Sequence, residues 1–384
     1  MRPRSWNFSL TAALVLLCPF DLVASLGMDL YLPAVPALPQ RLGASPGEVQ
    51  LTLAAYLAFL GAGQLVFGPL SDRIGRRPVL LGGALAFAVA SLALAVVGSF
   101  PPFLALRIVQ AGGGAAMLVA TFATVRDVYA ARPEGTRIYG LMSGVLVLVP
   151  AFGPLLGAGL IALGGLALVL GVLGALAAVA GARAFVMWPE TRPDGGRHVR
   201  LVDAGAILRS PSFRTYTLGY AVAMGSFFVY LSIAPGVLVG HFGHGPLGFG
   251  LLLGTVALVL VAVARKTERL VARYGREGCL GRGLAIIVVG ALGLLVPVDH
   301  VVAFLAPMWI VAAGIALVIA VAANGALAPF PDMAGTATAL FQCLGTLFFV
   351  VAGTTAVLVL HGTRALVGFV LVGAALVVVS RRRE

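Results

Sequence analysis

The chain has 384 residues, 60% of them hydrophobic and only 10% charged, with a mean hydropathy of +1.05. A soluble domain carries about 25% charged residues, so this composition excludes a water-soluble fold and predicts an all-α polytopic membrane protein. The net charge of +12 would suit a nucleic-acid binder, but the placement of the charges excludes that reading as well.

Twelve apolar spans are expected at about 9–36, 48–70, 79–98, 101–125, 138–162, 165–187, 213–239, 246–264, 283–298, 301–323, 335–360 and 362–380. At about 20 residues each they take up roughly 240 residues, which leaves short loops and no large soluble domain. All but three of the 26 basic residues fall near the N-terminus, in the even-to-odd loops or in the tail; the exceptions are Arg41, Arg107 and Arg364. The positive-inside rule then puts both termini in the cytoplasm and requires an even number of spans. The first apolar run is too long for the core of a cleavable signal peptide. Lys266 is the single lysine, and the abundance of Arg, Ala, Gly and Val suits a GC-rich bacterial genome, hence a bacterial inner membrane. Cys18, Cys279 and Cys343 show no metal-ligand spacing and read as inert thiols; no metal and no cofactor are expected.

Span one reads Pro19-Phe-Asp21-Leu-Val-Ala-Ser-Leu-Gly-Met-Asp29-Leu-Tyr31-Leu-Pro33. A charge at bilayer depth costs roughly 2.5–3.5 kcal/mol on insertion scales, so such residues face a protein interior or a wet cavity and mark ion or proton paths. Asp21 and Asp29 are about 12 Å apart along a helix axis and roughly 80° apart around it, so both can border one wide cavity. Arg107, in span four, is the third charge at this depth. In span five Gly153-Pro154, with Gly157 after it, removes a helical hydrogen bond and predicts a kink. Residues 188–212 hold Pro189, Pro193, Pro211 and an Asp194-Gly-Gly turn signal, and read as a cytoplasmic linker between six-helix bundles at 1–187 and 213–384. A short repeat supports that division: Arg73-Ile-Gly75-Arg76 recurs as Arg273-Tyr-Gly275-Arg276, 200 residues later. The second half has no acid in its spans, and Asp299 falls in an expected outer loop. His198, His241, His244, His300 and His361 fall in expected loops and read as solvated.

The loop Gly68-Pro-Leu-Ser-Asp72-Arg73-Ile-Gly75-Arg76-Arg77-Pro78 resembles the cytoplasmic signature of the major facilitator superfamily. Pro150-Ala-Phe-Gly153-Pro154-Leu-Leu-Gly157 resembles the antiporter signature of its drug:proton antiporter branch, and Arg107-Ile-Val-Gln110-Ala-Gly112 is similar to that branch's span-four pattern, with Ala111 where glycine is usual. Span one, Thr121–Tyr129, Trp188-Pro-Glu-Thr-Arg192 and Gly225-Ser-Phe-Phe228 are similar to the chloramphenicol and florfenicol exporters. The usual Gly-Trp-Arg before span six is replaced here by Gly164-Gly165-Leu166-Ala167.

The resemblance implies twelve transmembrane helices in two six-helix bundles, a small-molecule drug as substrate and the proton gradient as energy source, in a monomer. It implies a latch of Asp72, Arg73 and Arg76 with Asp127 as partner, and a span five whose kink packs against the other half to limit leak. It implies that Asp21, Asp29 and Arg107 couple protons to phenicol efflux: an outside proton and an inside drug occupy the cavity in turn, and Arg107 sets the switching point of the acids. Tyr31, Tyr56, Met117, Met142, Met224, Phe228 and Tyr230 are the candidate drug contacts, since a neutral ligand needs an apolar cavity with few polar groups. A broader multidrug or metabolite:proton antiporter is the alternative. A membrane enzyme or receptor would need a nucleophile–base set, metal spacing or a large extramembrane domain, and the sequence offers none of these; a channel is disfavoured by the antiporter signatures.

Overall fold

In lipid, every backbone N–H and C=O must find its partner inside the protein, which selects helices. The computed structural model describes residue 6 and residues 8–129, 134–192, 202–296, 299–330 and 334–381. The chain divides into two units, Met1–His198 and Val199–Glu384. His198 and the middle of the expected linker lie outside the described residues.

The first unit contains α1 (Leu10–Asp29), α2 (Leu38–Leu42), α3 (Pro46–Ile74), α4 (Arg76–Val96), α5 (Phe100–Tyr129) and α6 (Glu134–Met187). Ser9 caps α1, and Ser45 and Glu48 form a capping box that starts α3. The span expected to reach about residue 36 leaves the α-helix at Asp29 and continues as a 3-10 turn, Leu32–Ala37, where Pro33 and Pro36 withhold backbone donors. Arg41, one of the three stray cations, donates to the Ala95 carbonyl at 2.8 Å and so caps the end of α4, where the helix dipole favours positive charge. The expected spans five and six are the two parts of α6, divided where Gly164 (φ −160°, ψ 19°) and Gly165 (φ 67°, ψ −168°) leave helical geometry. Gly165 is the residue that needs a left-handed φ there.

The second unit contains α7 (Val202–Arg209), α8 (Pro211–Pro235), α9 (Pro246–Ala264), α10 (Thr267–Gly293), α11 (Val301–Leu327), α12 (Ala334–Leu360) and α13 (Gly362–Arg381). The part of the linker after residue 201 is thus the helix α7. His300 is more than a solvated loop residue: its Nδ1 accepts from the Ala303 N–H at 3.0 Å and caps α11. Among the described residues ten helices are long and apolar enough to cross a membrane. Dividing α6 and adding α10, whose first turns carry the charges, completes twelve spans. The chain is an all-α, multi-pass membrane protein.

The four-residue repeat in the sequence extends through the packing. In the first unit α4 crosses α5 where Gly83 faces Gly113; a carbon added to Gly113 would meet the Gly83 carbonyl at 2.6 Å. In the second unit α10 crosses α11 where Gly283 faces Gly314, and a carbon added to Gly283 would meet the Gly314 carbonyl at 3.0 Å. Tyr31 pairs with Phe103 at 6.3 Å, and Tyr230 with Phe304 at 5.5 Å. Gly153 sits against Asp29, and Gly353 against Phe228. Counterparts are therefore 199–201 residues apart throughout. Small residues at the crossings let backbones approach where lipid supplies no hydrophobic drive. Gly113→Ala is expected to cost about 1–3 kcal/mol of stability by overpacking. Thermal unfolding of purified protein measures this, with Gly112→Ala as control, because an added carbon there meets nothing within 4 Å.

Candidate functional site

Arg107 is fully buried in α5. Its Nη1 donates to the Gly27 carbonyl of α1 at 3.0 Å and to Gln110 Oε1 at 2.6 Å. Gln110 Nε2 donates to Ser91 Oγ of α4, and Ser91 to the Phe87 carbonyl, both at 2.7 Å. The remaining Nε and Nη2 have no hydrogen-bond partner among the described residues. The guanidinium lies over two aromatic rings instead, 4.4 Å from the centre of the Tyr31 ring and 4.3 Å from that of Tyr56. Both rings are fixed through their hydroxyls: Tyr31 pairs with Thr52 Oγ1 at 2.7 Å, and Tyr56 donates to the Ala24 carbonyl at 2.6 Å. At up to roughly 2 kcal/mol per desolvated ring, the two contacts are of the same size as the roughly 2.5–3.5 kcal/mol that an arginine at bilayer depth costs.

The two acids do not pair with Arg107 in this structure. No ion pair joins them among the described residues. Asp21, in the middle of α1, is fully buried, and neither carboxyl oxygen has a partner among the described residues. A buried unpartnered carboxylate is costly, and taking up a proton removes its charge. Asp29 ends α1 and is 7% exposed, with its Cβ against Gly153 of α6. Gly157, one turn on, lies against the Leu30 backbone. Gly153 and Gly157 of the antiporter signature thus face α1 of their own unit. Gly153, Pro154 and Gly157 lie within the continuous run of α6, whose non-helical residues are Gly164 and Gly165.

The second unit provides an internal control. The counterparts of Asp21, Asp29 and Arg107 are Tyr220, Phe228 and Met308; those of Ser91 and Gln110 are Ala291 and Val311. Tyr220 and Phe228 pack on Phe341 and Phe349 of α12 at 4.7 and 6.0 Å, and Met308 is fully buried. The same helix crossings form there without a charge, so the fold does not need the charges of the first unit.

A second polar cluster lies where α3 meets α4. Arg76 bonds Asp72 Oδ1 at 2.5 Å, Asp127 Oδ2 at 2.8 Å and Ser71 Oγ at 2.6 Å. Arg73 contributes its carbonyl, which accepts from Arg192, rather than its guanidinium. Glu190 is the residue that sequence reasoning missed. Its carboxylate accepts from the Arg76 N–H at 2.9 Å and the Arg77 N–H at 3.2 Å, the first two donors of α4, and from the Thr191 and Arg192 N–H groups at 3.0 and 2.9 Å. An anion is favoured at a helix N-terminus, and Gly75, at φ 109°, leaves the room that carboxylate occupies. Trp188 is buried against Trp6 and Phe20 at 5.3 and 5.7 Å. The start of the expected linker is therefore part of the first unit.

Of the expected drug contacts, Tyr31, Tyr56, Met117 and Met142 belong to the first unit and are fully buried. Met224, Phe228 and Tyr230 belong to the second, where Met224 is partly exposed and the other two are buried. Tyr31 and Tyr56 each also present a ring face to Arg107.

Residues 18–353 match the family described as Major Facilitator Superfamily. The chain belongs to this superfamily. It is 48% identical over 354 residues to the "Chloramphenicol resistance protein" of Pseudomonas aeruginosa, covering 91% of this chain and 84% of that one. It is 26% identical over 326 residues to a "Bicyclomycin resistance protein homolog" of Haemophilus influenzae, covering 82% and 81%. Among solved structures, a bacterial homolog of the human lysosomal transporter Spinster, inward-facing and unoccupied, is similar with a TM-score of 0.77 at 13% identity, covering 99% of this chain and 98% of that one. That likeness establishes the fold alone. A superfamily member of this fold is a membrane transporter of a small molecule and not an enzyme.

Replacing a buried charge by an apolar side chain of similar volume is often neutral or stabilising. Arg107→Met is therefore expected to leave the melting midpoint of the purified protein unchanged or higher, as Met308 does in the second unit. Glu190→Ala, which removes the cap of α4, is expected to cost about 0.5–2 kcal/mol in the same measurement.

Proposed function

We propose that the chain exports chloramphenicol-type antibiotics across the bacterial inner membrane in exchange for protons, by alternating access, and so confers phenicol resistance. The observation that carries this reading is the asymmetry between the units: two buried carboxyls and a buried arginine in the first, with Tyr220, Phe228 and Met308 in their places in the second. Charges the fold does without have a use in the work of the protein, and intramembrane acids serve proton paths. The identity to the Pseudomonas protein over most of both chains supports the phenicol substrate.

Asp21 and Asp29 are the proton carriers in this reading and Arg107 the fixed cation near them. Proton uptake neutralises a carboxyl and favours the state open to the cytoplasm; drug binding displaces the proton. The ion pairs of Arg76 with Asp72 and Asp127, together with Glu190, support a latch at the cytoplasmic ends of α3 and α4. The concentration of arginines in alternate loops supports cytoplasmic termini. Met117, Met142, Met224, Phe228 and Tyr230 remain the proposed apolar drug contacts, and the chain works as a monomer. The likeness to the bicyclomycin resistance homolog favours a second reading, a broader drug range.

Expression in a susceptible, efflux-deficient bacterium tests the proposal. The unmutated chain is expected to raise the inhibitory concentration of chloramphenicol, and Asp21→Asn, Asp29→Asn and Arg107→Ala to abolish that rise at equal expression. Undiminished resistance in all three would contradict the proton mechanism. A sensitive host would contradict the substrate, and protection against a panel of unrelated dyes would favour the broader range.

A further inference from the structure

A guanidinium in a dry interior ordinarily takes a carboxylate as partner, and two carboxylates stand on the neighbouring helix α1. Among the described residues Arg107 nevertheless takes neither: Nη1 goes to a carbonyl and an amide oxygen, Nε and Nη2 have no acceptor, and the guanidinium lies over two aromatic rings. The rings come from different elements, Tyr31 from the turn after α1 and Tyr56 from α3, and each hydroxyl is bonded, so their place on Arg107 is built rather than incidental.

The second unit shows what happens to the two rings when the cation is absent. Pro46 and Pro246 at the starts of α3 and α9, and the positive-φ glycines Gly75 and Gly275 further on, fix the correspondence at 200 residues. The counterpart of Tyr56 is then Val256, buried at 1% exposure. The ring is lost together with the charge, since Met308 stands for Arg107. Tyr230, the counterpart of Tyr31, still packs on Phe304, but its hydroxyl has no partner among the described residues.

We infer that Tyr31 and Tyr56 are positioning residues that hold Arg107 as a cation without a carboxylate partner, and thereby leave Asp21 and Asp29 available to take up and release protons. The attraction of the ring faces replaces the ion pair. Without them, the guanidinium would turn to the nearest acid and lock it as a carboxylate. Gln110 and Ser91 fix the azimuth of the guanidinium, and Thr52 and the Ala24 carbonyl fix the planes of the rings. This rests on the proton exchange proposed above, and it moves the two tyrosines from drug contacts to supports of the coupling arginine.

The test compares Tyr31→Phe/Tyr56→Phe, which keeps both faces and loses both hydroxyls, with Tyr31→Leu/Tyr56→Leu, which loses the faces. Two quantities are measured: binding of labelled chloramphenicol to purified protein, and proton-driven chloramphenicol uptake into inverted membrane vesicles. The phenylalanine pair is expected to keep uptake within about threefold of the unmutated chain, and the leucine pair to lose about tenfold or more with binding changed by less than about threefold. Equal uptake by the two pairs would overturn the inference, and so would a fall in binding that matches the fall in uptake, because the rings would then be drug contacts. Where the leucine pair fails to fold, or the unmutated chain takes up no chloramphenicol, Arg107→Met is added to the leucine background. Recovery of folded protein and melting midpoint is expected, since the unsupported cation is gone; no recovery would overturn the inference. Failure of uptake in the unmutated chain alone would count against the exchange reading and not against the clamp.

Discussion

A charge in a membrane interior has to be compensated where it stands, and the way Arg107 is compensated organises the first unit. Its guanidinium draws together the end of α1 through the Gly27 carbonyl, α3 through Tyr56, and α4 through Gln110 and Ser91. None of these contacts uses an acid. Asp21 is left buried with no partner among the described residues, an arrangement that stability alone would remove. The unit therefore keeps a strained electrostatic state inside a fold that does not require it.

The second unit makes that last statement more than an inference from cost. It repeats the Gly83–Gly113 crossing as Gly283–Gly314, the Tyr31–Phe103 pair as Tyr230–Phe304 and the Gly153 contact as Gly353. At the charged positions it places Tyr220, Phe228 and Met308. One backbone plan thus exists in two versions within a chain, a polar one and an apolar one. The difference between them isolates what the charges contribute to function from what the helices contribute to form.

Much of this was legible in the sequence, and the reasons for the rest are physical. Asp21, Asp29 and Arg107 stand out because charge is rare at bilayer depth. The Arg76–Asp127 pair was legible because both residues sit in short charged motifs. Glu190 was not, because it lies 114 residues from the helix it caps, in a segment whose prolines and glycines read as linker. The support of Arg107 by Tyr31 and Tyr56 was not legible either: an aromatic residue in an apolar span has many packing roles, and nothing in its spacing reveals a cation on its face. The repeat was visible as four residues 200 apart, but the glycine crossings that carry it could not be told from the other glycines among the chain's 50. The break at Gly164 and Gly165 was expected as the loop between spans five and six, whereas the direction in which the antiporter-signature glycines face needed coordinates.

The most direct test of the central claim, that Asp21 and Asp29 carry protons which drug binding displaces, is proton release itself. Chloramphenicol is added to purified protein in weakly buffered detergent solution with a pH indicator dye, and the released protons are counted. The account predicts release from the unmutated chain and none from the Asp21→Asn/Asp29→Asn double variant at equal drug occupancy. Equal release from both would contradict it.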